Sequence, residues 1–115
     1  MESESKSREE LVVFVTTPSR DQAVAIAKNI VNDRLAACVN IVPAIDSIYR
    51  WEGKIARDAE TLMIIKTTAD SYDALEKRVI ELHSYDTPEV IALRINRGSE
   101  KYLNWLQTES GPSPQ

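Results

Sequence analysis

The chain of 115 residues owns one cysteine, Cys38, and one histidine, His83, and these are its candidates for soft-metal or nucleophilic chemistry. Imidazole and thiolate suit copper or another divalent transition metal. With one of each, no Cys/His zinc site assembles from local spacing, and a soft-metal site would need several subunits. Each residue also has a plain structural use. Cys38 lies in the apolar run Ala37 to Ile41, where a free thiol serves as a small hydrophobe. His83 closes a helical pattern, where it caps the last carbonyls, beside a polar Ser84-Tyr85 loop that could equally host a ligand. The two lie far apart in sequence with nothing local to orient them for nucleophilic catalysis, so the chain does not read as an enzyme.

A second group is charged. Lys66 stands among Ile64, Ile65 and Thr67, so an inward side chain needs a partner such as Glu89 or Glu60. A structural ion pair accounts for Lys54, Glu60, Lys66 and Glu89, and so does a cleft holding a small anion or nucleotide-like ligand between subunits. Tyr85 and Trp105 are further candidates for that cleft, although Trp105 and Tyr102 also fit helix packing. Tyr49 and Trp51 are read as contacts between subunits rather than as a cofactor platform.

The elements that must position these residues centre on a long β-hairpin. Two extended runs, Ala36 to Arg50 and Ile55 to Thr68, flank Trp51-Glu52-Gly53-Lys54, and Gly53 supplies the positive φ of a tight turn. Arms of this length reach roughly 45 Å, against about 20 to 25 Å for the flanking helices. The tip, with Ile48, Tyr49 and Trp51, therefore overhangs its own domain and must be covered by something else. Pro43 removes a ladder donor, which calls for a bulge or an edge position.

Around the hairpin, Leu11 to Thr17 reads as a central strand buried on both faces. Ser19 and Gln22 form a capping box for a first helix to about Arg34. Asp70 caps a second helix that carries Tyr72, Leu75, Val79 and Leu82 and ends near His83. Val90 to Ile95 is a fourth strand, and Ser99 caps a short third helix with Tyr102, Leu103 and Leu106. The order is that of an α+β, ferredoxin-like βαββαβ sandwich with an extra C-terminal helix, both crossover helices lying on one face. Residues 1–10 and 109–115 are expected to be disordered tails around one domain over 11–108.

The net charge of -4 offers no general attraction to nucleic acid or anionic membranes. An RNA-recognition sheet would need stacking aromatics and a basic face, whereas the central strands here read Val13-Phe14-Val15 and Leu62-Met63-Ile64. An acylphosphatase-like anion loop would need glycine beside Arg20, and Thr16 to Arg20 has none. No run is long and apolar enough for a membrane span, and no secretory signal opens the chain, so a cytoplasmic location is expected.

Five blocks carry a resemblance: RLAACVN over 34–40, SIYRWEGK over 47–54, MIIKTT over 63–68, His83-x-Tyr85-x-x-Pro88-Glu89, and Tyr102-Leu103-x-Trp105. In this order and spacing, over about Leu11 to Leu106, the chain resembles the CutA family of divalent-cation tolerance proteins. That resemblance implies a ferredoxin-like fold and a tight homotrimer of PII-like shape, in which long hairpins reach neighbouring subunits. It also implies copper binding and metal tolerance, with a PII-like module sensing a small ligand at subunit clefts, or a trimeric scaffold for a partner protein, as alternatives. The copper ligands proposed for some members resemble a cysteine at the end of the first strand and a His-His pair closing the second helix. Here those positions read Val15 and Leu82-His83, so the second histidine alone is retained.

Overall fold

A computed structural model describes residues 8–112. In chain order the elements are β1 (Glu10–Thr17), α1 (Arg20–Asn32), β2 (Cys38–Trp51), β3 (Lys54–Thr68), α2 (Ala69–Leu82), β4 (Val90–Arg94) and α3 (Glu100–Glu109). The strands form one sheet in the order β2-β3-β1-β4, with every neighbouring pair antiparallel. The fold is thus a mixed α+β arrangement of three helices and one four-stranded antiparallel sheet.

Alternation along the strands divides the sheet into two unlike faces. Val13 and Val15 of β1 and Met63 and Ile65 of β3 are wholly buried against Ala23, Ile26 and Ile30 of α1 and Leu75 and Val79 of α2. The opposite face carries Val12, Phe14, Leu62 and Ile64, continued on β4 by Ile91 and Leu93, which stay 51% and 55% exposed. Strand β1 is central, as its composition suggests, but helices bury it on one face rather than two. On the open face α3 covers one end, where Gln107 donates to Glu10 (Nε2 to Oε2, 2.8 Å).

The hairpin turns at Glu52-Gly53 between the paired residues Trp51 and Lys54, and both turn residues have positive φ, 49° and 78°. That is the geometry of a two-residue hairpin whose twist matches its strands. At Pro43 the register shifts between Val42 and Ile45, and Ala44 takes φ of 61°, so β2 is both bulged and at the sheet edge. The arms give the molecule a long axis of 51 Å against 26 and 25 Å across.

Three local expectations are corrected. Thr68, not Asp70, occupies the cap position of α2, because β3 runs straight into the helix without a loop; Asp70 sits in the first turn, accepts from the Thr68 hydroxyl and pairs with Arg8 (3.3 Å). Ser19 does cap α1 by accepting from Gln22 N, but the Gln22 side chain is diverted to Ser84. Residues 8–10 and 109–112, expected within the tails 1–10 and 109–115, are tied to the rest of the domain. Arg8 donates to the carbonyls of Gln107 and Ser110, Arg34 donates to those of Thr108 and Gly111, and Ser110 is buried against Thr67 and Thr68. Two guanidinium groups thereby satisfy carbonyls at the end of α3 that lack helical partners. Residues 1–7 and 113–115 of the expected tails lie outside the described residues.

Candidate functional site

One cleft, of about 820 Å³, gathers most of the chemically capable side chains. Its walls come from the end of β1 at Thr16, the flank of the β2–β3 hairpin, and the loop between α2 and β4. The loop is fixed first. Gln22 binds Ser84 through both ends of its amide, donating to Oγ (3.0 Å) and accepting from the backbone N–H (2.9 Å), so the start of α1 anchors the chain after α2.

His83 fixes the same loop from below. Its ring is 8% exposed, Nε2 lies 2.7 Å from the Thr16 carbonyl, and Nδ1 lies 3.0 Å from the Tyr85 backbone nitrogen. A carbonyl only accepts and an N–H only donates, so Nε2 carries the proton and Nδ1 bears the accepting lone pair. Both nitrogens are committed within the chain. The ring also stacks at a tilt on Tyr85, with centroids 4.8 Å apart.

Tyr85 in turn donates its hydroxyl to Glu60 Oε2 at 2.7 Å. Glu60 is 8% exposed. A parallel pair lies further out on the hairpin, where the Tyr49 hydroxyl donates to Asp58 Oδ2. Burial, followed by the hydrogen bond to the Glu60 carboxylate, pushes the Tyr85 phenol well up from its ordinary value; for Tyr49 the leading cause is the Asp58 hydrogen bond. Both hydroxyls therefore remain protonated donors through neutral pH. Asp46 is paired by Arg57 at 3.2 Å.

The sequence-derived candidates divide cleanly. Glu60, Tyr85 and Glu89 line the cleft, together with Tyr49 and Trp51, which sequence reasoning assigned to subunit contacts. Lys66 and Trp105 do not. Lys66 lies six residues from Glu60 along β3, roughly 20 Å, and its ammonium group meets Asn40 Oδ1 on the open sheet face instead of Glu60 or Glu89. Lys54 pairs with Trp51 at the hairpin turn. Trp105 packs against Tyr102 on α3, centroids 5.6 Å apart. Cys38 sits opposite Lys66 near Tyr102, whose hydroxyl is raised by burial and by the neighbouring thiol.

His83 and Cys38 are likewise not brought together. His83 touches Thr16, whereas Cys38 is level with Val12 through Lys66, about 13 Å away along β1. Among the described residues no three His, Cys, Asp or Glu side chains form a group able to hold a metal ion. Sequence reasoning missed Asp58 as the partner of Tyr49. Counting outward from the Glu52-Gly53 turn pairs Tyr49 with Ala56, which puts Asp58 two residues further on the same face.

Comparison with known proteins gives a consistent picture. A family model described as "CutA1 divalent ion tolerance protein" matches residues 11–109. The chain is 50% identical over 110 residues to "Protein CutA, chloroplastic" of Arabidopsis thaliana, covering 96% of this chain but 60% of that relative. It is 49% identical over 102 residues to the "Divalent-cation tolerance protein CutA" of Thermus thermophilus, covering 89% of this chain and 99% of the relative. The crystal structure of CutA1 from Oryza sativa superposes with a TM-score of 0.89 at 49% identity, covering 95% of this chain and all of that one. Among the described residues no helix is long and apolar enough to cross a membrane.

Proposed function

The chain belongs to the CutA1 divalent ion tolerance family, and on that premise we propose that it acts as a homotrimeric divalent-cation tolerance protein of ferredoxin-like fold and PII-like assembly, working in the cytoplasm. The observation that carries the assembly is apolar surface left uncovered within one chain. Ile48 is 68% exposed and Trp51 59% on the hairpin, and Ile91 and Leu93 project from the open sheet face. Surface of this kind on a small chain marks an interface. Further support for the fold reading comes from the antiparallel strand order β2-β3-β1-β4 combined with β-α-β-β-α-β connectivity.

Copper on His83 and Cys38 does not fit the residues as one chain arranges them. Copper needs free imidazole and thiolate lone pairs converging on one point, whereas His83 spends both nitrogens on Thr16 and Tyr85 and Cys38 lies at the other end of β1. A cation role then rests on oxygen donors of the cleft, Asp86 and Glu89 among them, combined across copies of the trimer. Calorimetric titration with Cu(II) tests this. Weak binding is expected, unchanged by Cys38→Ser and reduced by Asp86→Asn with Glu89→Gln. Tight binding abolished by Cys38→Ser or His83→Ala would contradict it.

A second reading is a PII-like module that takes a small ligand and passes the result to a partner protein. What favours it is the cleft itself, whose volume lies in the range of small-molecule sites.

A further inference from the structure

We propose that the open sheet face seats the hairpin of a second copy, and that Lys66 on that face pairs across the contact with Asp58 of the arriving hairpin, backed by Glu60. The inference rests on the trimer reading above and names the two surfaces and the charges that join them.

The seat is apolar around a cation. Strand pairing sets Lys66 beside Val12 on β1, and Val12 beside Leu93 on β4, so the ammonium group rises from the same face as Phe14, Ile64, Ile91 and Leu93. Its hydrogen bond goes to the neutral side chain of Asn40, and among the described residues no carboxylate pairs with it. A copy that covers Ile91 and Leu93 takes Lys66 out of water with them. A charge buried without a counter-charge is strongly destabilising, so the covering surface has to bring a carboxylate.

The hairpin brings one. Beyond the last β1 pairing, Thr17 with Thr61, its arms run on without a third strand, and Lys54 to Glu60 extend roughly 23 Å. The face to be covered is about as long, roughly 26 Å along β1. The overhang carries Ile48, Trp51 and Ile55, each more than half exposed. Its carboxylates are not equivalent. Asp46 is neutralised by Arg57, whereas Asp58 and Glu60 meet the phenols of Tyr49 and Tyr85, which satisfy an oxygen and leave the charge. Burial raises the Tyr85 phenol first, and Glu60 and Asp58 both add to it, which places the two carboxylates in one neighbourhood. Asp58 is exposed and makes the contact, while Glu60, covered by Tyr85, adds its field from behind. Lys66 of the same chain is about 20 Å away down β3; Lys66 of a second copy is under no such constraint. Apolar residues then meet apolar residues, and opposite charges set the register between copies.

The test is subunit exchange in the full-length protein, with unlabelled and isotope-labelled oligomers mixed and the mixed species followed by native mass spectrometry. Lys66→Glu and Asp58→Lys are each expected to speed exchange at least about tenfold, and the two together to restore most of the loss. Lys66→Gln and Asp58→Asn, which introduce no repulsion, form a second cycle expected to show the same non-additivity even where a reversal fails to fold. Asn40→Ala, which removes only the partner within the chain, is expected to exchange like wild type. Additive effects at Lys66 and Asp58, or exchange indifferent to both, would overturn the pairing and leave the trimer reading standing. Exchange in Asn40→Ala as fast as in Lys66→Glu would overturn it too, because Lys66 would then serve its own sheet. A monomeric wild type would overturn the pairing and the trimer together.

Discussion

At the scale of single residues, His83 turns out to be a positioning group. Its neutral ring links the end of β1 to the loop after α2, donating at Nε2 and accepting at Nδ1. Replacing it with alanine leaves the Thr16 carbonyl and the Tyr85 N–H without their partner in a partly buried place, at a cost of about 1 to 3 kcal/mol for each group that water does not reach. His83→Ala is therefore expected to lower unfolding stability by roughly 2 to 4 kcal/mol, read as a shift in the urea midpoint; an unchanged midpoint would mean that water replaces the ring at no cost. The tyrosines supply a pH dependence. Burial, then the hydrogen bond to Glu76, holds the Tyr72 phenol at about 12 instead of 10.0. A folded-state value above the unfolded one adds stability that is complete below the unfolded value and is lost as pH rises through the folded one. Stability should thus fall between pH 10 and about 12, with Tyr72→Phe flattening the fall and removing a late component of tyrosinate absorbance. A tyrosinate titration complete near pH 10 in the folded protein would contradict this.

At the scale of elements, the hairpin and its bulge were legible because glycine and proline restrict backbones locally. Glu52-Gly53 and Pro43 announce a turn and a ladder defect wherever they stand between β-forming runs. The turn also yields a prediction. Glu52 holds φ of 49°, a region that costs an L-residue about 1 to 2 kcal/mol. Asparagine tolerates it better and is favoured before glycine in this turn, so Glu52→Asn is expected to stabilise the chain by about 1 kcal/mol, seen as a higher thermal midpoint. A lower midpoint would mean that Glu52 has a partner outside the chain. What the sequence hid was set by distant pairing. Asp70 has cap chemistry, but the pairing of Thr68 with Glu10 carries β3 to the very start of α2. Glu60 stands in a polar stretch, and its burial comes from Tyr85, 25 residues on. Lys66 stands among apolar residues, yet strand alternation turns it to the open face, where Asn40 of β2 meets it. Arg8 and Ser110 looked like tail residues because neither has an apolar periodicity. The Arg8 guanidinium donates to the Ser110 carbonyl and pairs with Asp70, and the Ser110 hydroxyl meets that of Thr67, contacts that exist only after the sheet has formed.

At the scale of the whole molecule, the main tension is between the chain's length and its core. The core lies on the helix-covered face of the sheet, while the hairpin carries the long axis to 51 Å and takes Ile48 and Trp51 away from any helix that could cover them. The open face adds Ile91 and Leu93. Left in water, these groups forgo roughly 25 cal/mol for each Å² of apolar surface that an interface would bury. The proposed trimer resolves this by giving each hairpin a neighbour to lie on. Light scattering coupled to size-exclusion chromatography, at micromolar concentration, tests this most directly. The expected result is a single species of three times the 13.0 kDa chain mass, and the contradicting one is a monodisperse particle of 13.0 kDa that leaves Ile48, Trp51, Ile91 and Leu93 in water.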